Sequence, residues 1–365
     1  MRFRQPIKSL ERFWRLSLVI ASVKTERTFG HATVFRDPLR GVARTRHIAM
    51  IDRSTKEKMH PRNRFRGGYD FASLVARSPK LAAFVRANPH GDASIDYADP
   101  AAVITLNQAL LRQAYGIATW DIPPGALCPP IPGRSDYVHH LADLLARGRD
   151  AIPRGPGVRL LDVGVGASCI YPLIGASEYG WSFVGSEVDS RALDWAQRLA
   201  DAYRRGESTI VCRLQEDRSR CFRGVILQGE FYDASMCNPP FHASSADATS
   251  GSDRKRRNLG LLKSGAPSRN FGGQSGELWC PGGELGFVLR MIAESVAVRD
   301  RVRWFTTLVS KSAHLPRLEG AARDAGALQV TTLAMGQGQK RSRILAWTFA
   351  DVRSTASGKR ERSRG

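Results

Sequence analysis

From Gly157 onward, short apolar runs alternate with amphipathic ones, and no other feature limits the possible folds as tightly. "VRLLDVG" reads as a strand ending in Asp162 and glycines, "ASCIYPLIGASEYG" as helix and turn, and "WSFVGSEVD" as the next strand. "SRALDWAQRLADAYRRG" has the apolar spacing of an amphipathic helix, and "STIVCRL" and "FYDASM" are further strands. Beyond a Gly/Arg-rich interval, "GGELGFVLRMIAESVAVRD" is helical and "RVRWFTTLVS" is a buried strand. "ALQVTTLAM" and "RILAWTFA" flank "GQGQKRS" as a hairpin. Strands alternating with helices imply a parallel sheet covered on both faces. The fold class is therefore α/β, a mixed sheet closed by a C-terminal antiparallel hairpin.

The residues before this unit form a smaller N-terminal lobe. It is rich in Pro, Asn, Asp and Arg, with a helix expected at "DPAAVITLNQALLRQAYG", where Asp99 is a good N-cap and Pro100 a good first-turn residue. "DYVHHLADLLARG" follows as a second helix ending at a glycine. Neighbours on a helix point about 100° apart, so adjacent His139 and His140 read as packed or surface residues and no metal site is expected. The organisation is a basic head over 1–58, the lobe over 59–135, a catalytic domain over 136–350 and a basic tail over 351–365.

Charge narrows the partner class. The chain has 365 residues, 55 Lys plus Arg against 34 Asp plus Glu, and a net charge of +21. Head and tail carry +9 and +3 of this and show no sustained apolar period, so both read as unfolded, solvated arms. Such a field attracts polyanions, with nucleic acid first among them. The longest apolar stretch near the start, "LSLVIASV", is far short of the roughly 20 residues a membrane span needs. Six scattered cysteines without a CxxC pair indicate reduced thiols and a cytoplasmic protein.

Chemistry concentrates at two strand ends. "LLDVGVGAS" places Asp162 and a GxG turn (Gly164, Gly166) where the first strand feeds the first helix, followed by Ser168. Glu187 ends the next strand, about 20 residues on, where a ribose hydroxyl pair can be held. The turn has neither a GxGxxG nor a GK[ST] ending, so a nucleoside ligand without a phosphate chain fits best, and S-adenosyl-L-methionine is such a ligand. "CNPPFH" terminates "FYDASM", in the order expected beside the first strand and across the switch point. Pro239 and Pro240 make that turn stiff, which could be no more than a strand stop. Asn238 at its mouth and Phe241 beyond it suit more: a side-chain oxygen and the Pro239 carbonyl to accept both N–H bonds of a nucleobase amino group, and a ring to stack on the base.

The motifs together resemble a known family. "HPRNR", "WDIPPGALCPPIPGRSDYVHHLADLLA", "LLDVGVGASCIYPLIGASEYGW", "CNPPFHAS", "RKRRNLGL", "NFGG", "ELWCPGGE", "WFTTLVSK" and "GQGQKRSRILAWTF" are similar to the RlmF-type 23S ribosomal RNA adenine-N6 methyltransferases, whose eukaryotic relatives methylate U6 spliceosomal RNA. The likeness runs from about Met59 to Phe349 and leaves the head without a counterpart. It implies a class I, Rossmann-like methyltransferase fold, S-adenosyl-L-methionine as donor, and N6 of one adenine of 23S ribosomal RNA or an assembling large subunit as target. It also assigns Arg134 of "PGRSDY" to the cofactor pocket with Gly164, Ser168, Glu187 and Asn238. The expected protein is a monomer that binds no membrane.

Three other functions compete. A ribosomal RNA guanine-N2 methyltransferase also carries NPPF followed by His. A protein-glutamine methyltransferase usually shows NPPY and has no use for this basic surface. A catalytically inactive RNA-binding module would not need the glycines, Glu187 and NPPF together. The loop after NPPF, Gly251 to Glu277, reads as a solvated segment by composition, but it leaves the strand end that carries Asn238. Arg254, Lys255, Arg256 and Arg257 could there neutralise phosphates beside the target base. Changing all four to Ala is expected to weaken RNA binding at every sequence, and to make log affinity against log salt shallower by up to about 3 at roughly 0.7 to 0.9 per contact. An unchanged slope in a salt titration would move the RNA track elsewhere.

Overall fold

The computed structural model describes residues 59–88, 90–203, 206–240, 280–337 and 340–351. The head, the loop after Pro240 and the tail beyond Asp351 lie outside these residues.

A two-residue ladder, β1 (Arg86–Ala87) with β2 (Ala93–Ser94), lies in the lobe. The main sheet has seven strands: β3 (Arg159–Val163), β4 (Ser182–Glu187), β5 (Ile210–Leu214), β6 (Tyr232–Cys237), β7 (Val302–Val309), β8 (Gln329–Gln337) and β9 (Lys340–Thr348). Their spatial order is β5-β4-β3-β6-β7-β9-β8. The first five are mutually parallel, and β9 is antiparallel to β7 and β8, as the expected closing hairpin requires. Because β3 lies between β4 and β6, the chain reverses its winding direction beside β3, and a crevice opens at the strands' C-terminal ends.

Seven α-helices flank the sheet among the described residues: α1 (Phe71–Arg77), α2 (Pro100–Tyr115), α3 (Ile131–Ala146), α4 (Ile170–Tyr179), α5 (Ser190–Ala202), α6 (Gly283–Ser295) and α7 (Leu315–Asp324). Asp99 caps α2 by accepting the Ala101 N–H, with Pro100 at the first helical position. Helix α7 was not expected. Pro316 and Gly320 look like breakers in sequence, yet Pro316 occupies the first turn, where a missing N–H costs nothing. Side chains alternate along β3: Leu160 packs with α2, α3 and α4 on one face, Leu161 and Val163 with α6 and α7 on the other. The lobe boundary expected at 135/136 falls inside α3, and one apolar core runs from Leu81 and Leu106 through Val138 to Leu160 and Trp181. Among the described residues no helix is long and apolar enough to cross a membrane.

The segment "HPRNR" explains how the lobe holds α3. The His60 N–H and the Asn63 amide both donate to Asp136 Oδ1 (2.7 and 2.9 Å), and the same amide reaches the Pro132 carbonyl at 2.9 Å. His60 Nδ1 accepts the Arg62 N–H, so Nε2 carries the proton that goes to Asp143 Oδ2 at 2.8 Å. Arg62 donates to the Tyr179 hydroxyl, which meets His139 Nδ1 at 2.7 Å. His139 is fully buried and stacked on His60, so both rings are held neutral, and burial depresses the His139 pKa to about 4. His140 lies nearer the surface, 3.6 Å from Asp136. Between pH 6.5 and about 4 the unfolded chain protonates His139 while the native chain does not, so stability is full above pH 6.5 and falls as the pH drops. Across that window we expect a loss of about 3 kcal/mol from this group, at 1.36 kcal/mol per unit. Denaturant melts at pH 7 and pH 4.5 should show it, and His139→Gln should flatten the dependence.

Candidate active site

The site grows out of one register. Val163 pairs with Cys237 in the β3–β6 ladder, so the residues that follow each strand, Gly164 and Asn238, leave the sheet side by side. The glycine turn is clamped from β4: the Gly164 and Val165 N–H groups both donate to the Ser186 carbonyl at 2.9 Å. Gly164 and Gly166 adopt φ of 76° and 62°, where a side chain is strained, and a Cβ on Gly164 would meet no atom of the described residues within 4 Å. That open side faces the crevice. Cys169, at the start of α4, has φ 48°, the one non-glycine in the left-handed region among the described residues. Strain of this kind gathers at functional sites.

Glu187 organises the opposite wall. One carboxylate oxygen accepts the Gly166 N–H at 3.0 Å, and the other accepts Val188 and Asp189 N–H at 2.7 and 3.1 Å. These bonds fix its orientation, and carboxylate oxygens have further lone pairs for a diol. Gly164, Gly166, Ser168, Glu187, Arg134 and Asn238 all line one cavity of about 630 Å³. Arg134 enters from α3, with Nη1 2.6 Å from the Tyr171 hydroxyl and its guanidinium 5.2 Å from the centre of that ring. The lobe closes the top through Leu127 and Pro129, held by Asn107 to the Pro129 carbonyl and by Trp120 Nε1 to the Ser168 carbonyl, each 2.9 Å.

Two predicted residues sit differently. Asp162 is wholly buried behind the cavity and does not line it. Neither of its oxygens has a hydrogen-bond partner among the described residues, and desolvation lifts its pKa to about 8 against the attraction of Arg134. The reason is strand alternation: Asp162 points into the sheet face under α3 and α4, while the turn after it carries the accessible backbone. Pro239 is buried and Pro240 is on the cavity wall. Phe241 and the cluster Arg254, Lys255, Arg256 and Arg257 lie outside the described residues. The sequence reading missed the far wall, which comprises Gln215, Arg218, Arg220, Phe287 and Arg290. Gln215 is the residue after β5, and its place at a third parallel strand end was the available signal. Its loop is pinned by Glu294, whose carboxylate accepts the N–H groups of Cys221, Phe222 and Arg223.

A seven-stranded sheet in this order, a glycine turn with an acid on the adjacent strand end, and an asparagine beside them define a class I S-adenosylmethionine-dependent methyltransferase. Cavity size, the open face of Gly164 and the oriented Glu187 carboxylate fit that cofactor. The chain belongs to the RNA methyltransferase family, whose model matches residues 53–351. A ribosomal RNA large subunit methyltransferase F of Pseudomonas savastanoi pv. phaseolicola is 54% identical over 299 residues, covering 81% of this chain and 91% of that protein. Its counterpart in Salmonella schwarzengrund is 53% identical over 296 residues, covering 81% and 95%. The hMettl16 catalytic domain, solved with a MAT2A 3′UTR hairpin, aligns with TM-score 0.65 and 33% identity over 81% of this chain and 99% of that one. The N-terminal domain of human METTL16 in complex with SAH aligns with TM-score 0.60 and 31% identity, covering 80% and 99%.

Gly164→Ala tests the cradle. Left-handed backbone costs an L-residue about 1–2 kcal/mol with or without ligand, which lowers stability, while the added methyl takes space beside the cavity and lowers cofactor affinity. We expect at least a tenfold rise in the calorimetric Kd, about 1.4 kcal/mol, with the melting transition still cooperative.

Proposed function

We propose that this protein methylates N6 of one adenine in the ribosomal RNA of the large subunit, 23S RNA, as free RNA or within an assembling particle. The observation that carries the reading is Asn238 Oδ1. It is buried and has no hydrogen-bond partner among the described residues, and its side chain is on the wall of the cofactor cavity. A buried acceptor left unmade costs about 1–3 kcal/mol, so a ligand N–H that fills it is strongly selected.

The bound cofactor supplies an electrophilic methyl group on a sulfonium. The adenine amino nitrogen is a poor nucleophile because its lone pair is delocalised into the ring. Asn238 Oδ1 accepts one of its N–H bonds and the Pro239 carbonyl the other, which favours a pyramidal nitrogen whose lone pair faces the methyl carbon. Positioning and electrostatics supply the acceleration, and no strong base is called for. Phe241 would stack on the base, which must be single-stranded or flipped out. Relatives named for ribosomal RNA, a neighbour solved with an RNA hairpin, and the net charge of +21 support the RNA substrate. We place the reaction in the cytoplasm and expect one chain per site.

Asn238→Ala should slow methyl transfer about a hundredfold, on the order of 3 kcal/mol, with RNA affinity nearly unchanged. Near-normal turnover would sink the mechanism. Mass spectrometry of nucleosides after reaction in vitro should give N6-methyladenosine. N2-methylguanosine would replace the adenine reading with the guanine one.

A further inference from the structure

Pro239 and Pro240 carry no N–H, so a turn built on them has few backbone donors by which the fold can fix it. The Ser235↔Phe305 pair is the last in the β6–β7 register. Beyond it, the Cys237 N–H, one residue before Asn238, donates to a side chain from another layer, the Tyr137 hydroxyl of α3, at 3.3 Å. That hydroxyl is 2.8 Å from Thr306 Oγ1 on β7, and Thr306 Oγ1 is 2.8 Å from the Ser235 carbonyl.

The proton order in this chain is determined. A carbonyl only accepts, so Thr306 spends its single proton on Ser235 and must accept from Tyr137. Tyr137 spends its own proton on Thr306 and accepts from Cys237. Every group is used once, and reversing any member leaves a buried donor unmatched. Tyr137 and Thr306 are both fully buried, and burial holds the phenol well above its usual pKa, so the relay keeps its protons at any working pH. The Tyr137 ring is packed edge-on against Tyr171 at 5.4 Å, which fixes the height of its hydroxyl. One turn earlier on the same helix, Arg134 donates to the Tyr171 hydroxyl from the cavity wall.

We propose that Tyr137 is a positioning residue for methyl transfer: through the Cys237 N–H it sets where Asn238 presents its side-chain oxygen to the target amino group. The inference rests on the role given to Asn238 above. Near-attack geometry is sensitive to displacements of about 1 Å, so loosening one anchor of this turn should appear in the chemical step and not in binding.

A double-mutant cycle under single-turnover conditions tests it, with a 23S RNA fragment and saturating cofactor. Tyr137→Phe keeps the ring and should lower the rate about tenfold, while the Kd values for S-adenosylmethionine and for the RNA fragment stay within about twofold. In the Asn238→Ala background the same change should have an effect below about twofold, because the residue it positions is gone. Thr306→Val removes the next link and should match Tyr137→Phe, and Thr306→Ser should recover most of that loss. If Tyr137→Phe does not fold, Thr306→Val carries the same cycle. An equal rate loss in both backgrounds, or a wild-type rate for both hydroxyl deletions while Asn238→Ala stays slow, overturns the inference and leaves the Asn238 role standing. A normal rate for Asn238→Ala overturns both.

Discussion

The parallel pairing of β3 with β6 is the constraint on which the rest of the structure depends. It places Val163 opposite Cys237, so a glycine turn and a proline turn leave neighbouring strands at one height. Were the register to slip by one residue, every side chain on β6 would change face and Asn238 would move out of the crevice. The slip is opposed by the alternation itself at the C-terminal end of the strand: Ala234 and Met236 pack into one core and Cys237 into the other. Hydrophobic burial on two faces thus fixes the position of two polar groups at the strand ends.

Helix α3 is the second determinant, because it reaches the cavity, the lobe and the proline turn. Its N-terminal half bears Arg134 on the cavity, Asp136 as the acceptor for the "HPRNR" segment, and Tyr137 beneath the proline turn. Arg134 and Tyr137, three residues apart, share the face that meets Tyr171, the cavity and the sheet, while Asp136 points away from it toward the lobe. The lobe is accordingly part of the catalytic unit: its docking on Asp136 and its Leu127–Pro129 wall hold the helix that holds the site.

Much of this was legible in the sequence, and the reasons differ by residue. Strand and helix alternation gave the sheet because the central strands β3, β4 and β6 are buried on both faces, and Asp99 with Pro100 gave the start of α2 because capping is local chemistry. Glu187 and Asn238 could be placed because strand ends of a parallel sheet converge on one crevice. Asp162 was misplaced because a spacing motif does not say which face of the strand its acid takes. The far wall around Gln215 and Arg290 was invisible since it joins a loop to a helix about 75 residues away in sequence, and only Glu294 binding the loop's N–H groups brings them together. Helix α7 was hidden by a proline that turned out to be a helix start.

Most buried polar atoms without a partner gather near the crevice, with His139 Nε2 in the lobe contact of α3 an exception among the described residues. Away from the crevice, buried Glu284 accepts from Ser310, Lys311 and His314, and half-buried Glu230 accepts from Arg213, Arg159 and Tyr232. Around the crevice the reverse holds among the described residues, with Arg134 Nε, both Asp162 oxygens, Ser235 Oγ and Asn238 Oδ1 buried and unpartnered. A fold under no demand but stability would satisfy or remove these groups, at about 1–3 kcal/mol each. They are concentrated on β3, β6 and α3, the elements that converge on the nucleoside and amino-group positions. Of these groups only Arg134 and Asn238 belong to residues on the cavity wall, and the Asn238 oxygen is the acceptor that a donor-bearing base would complete.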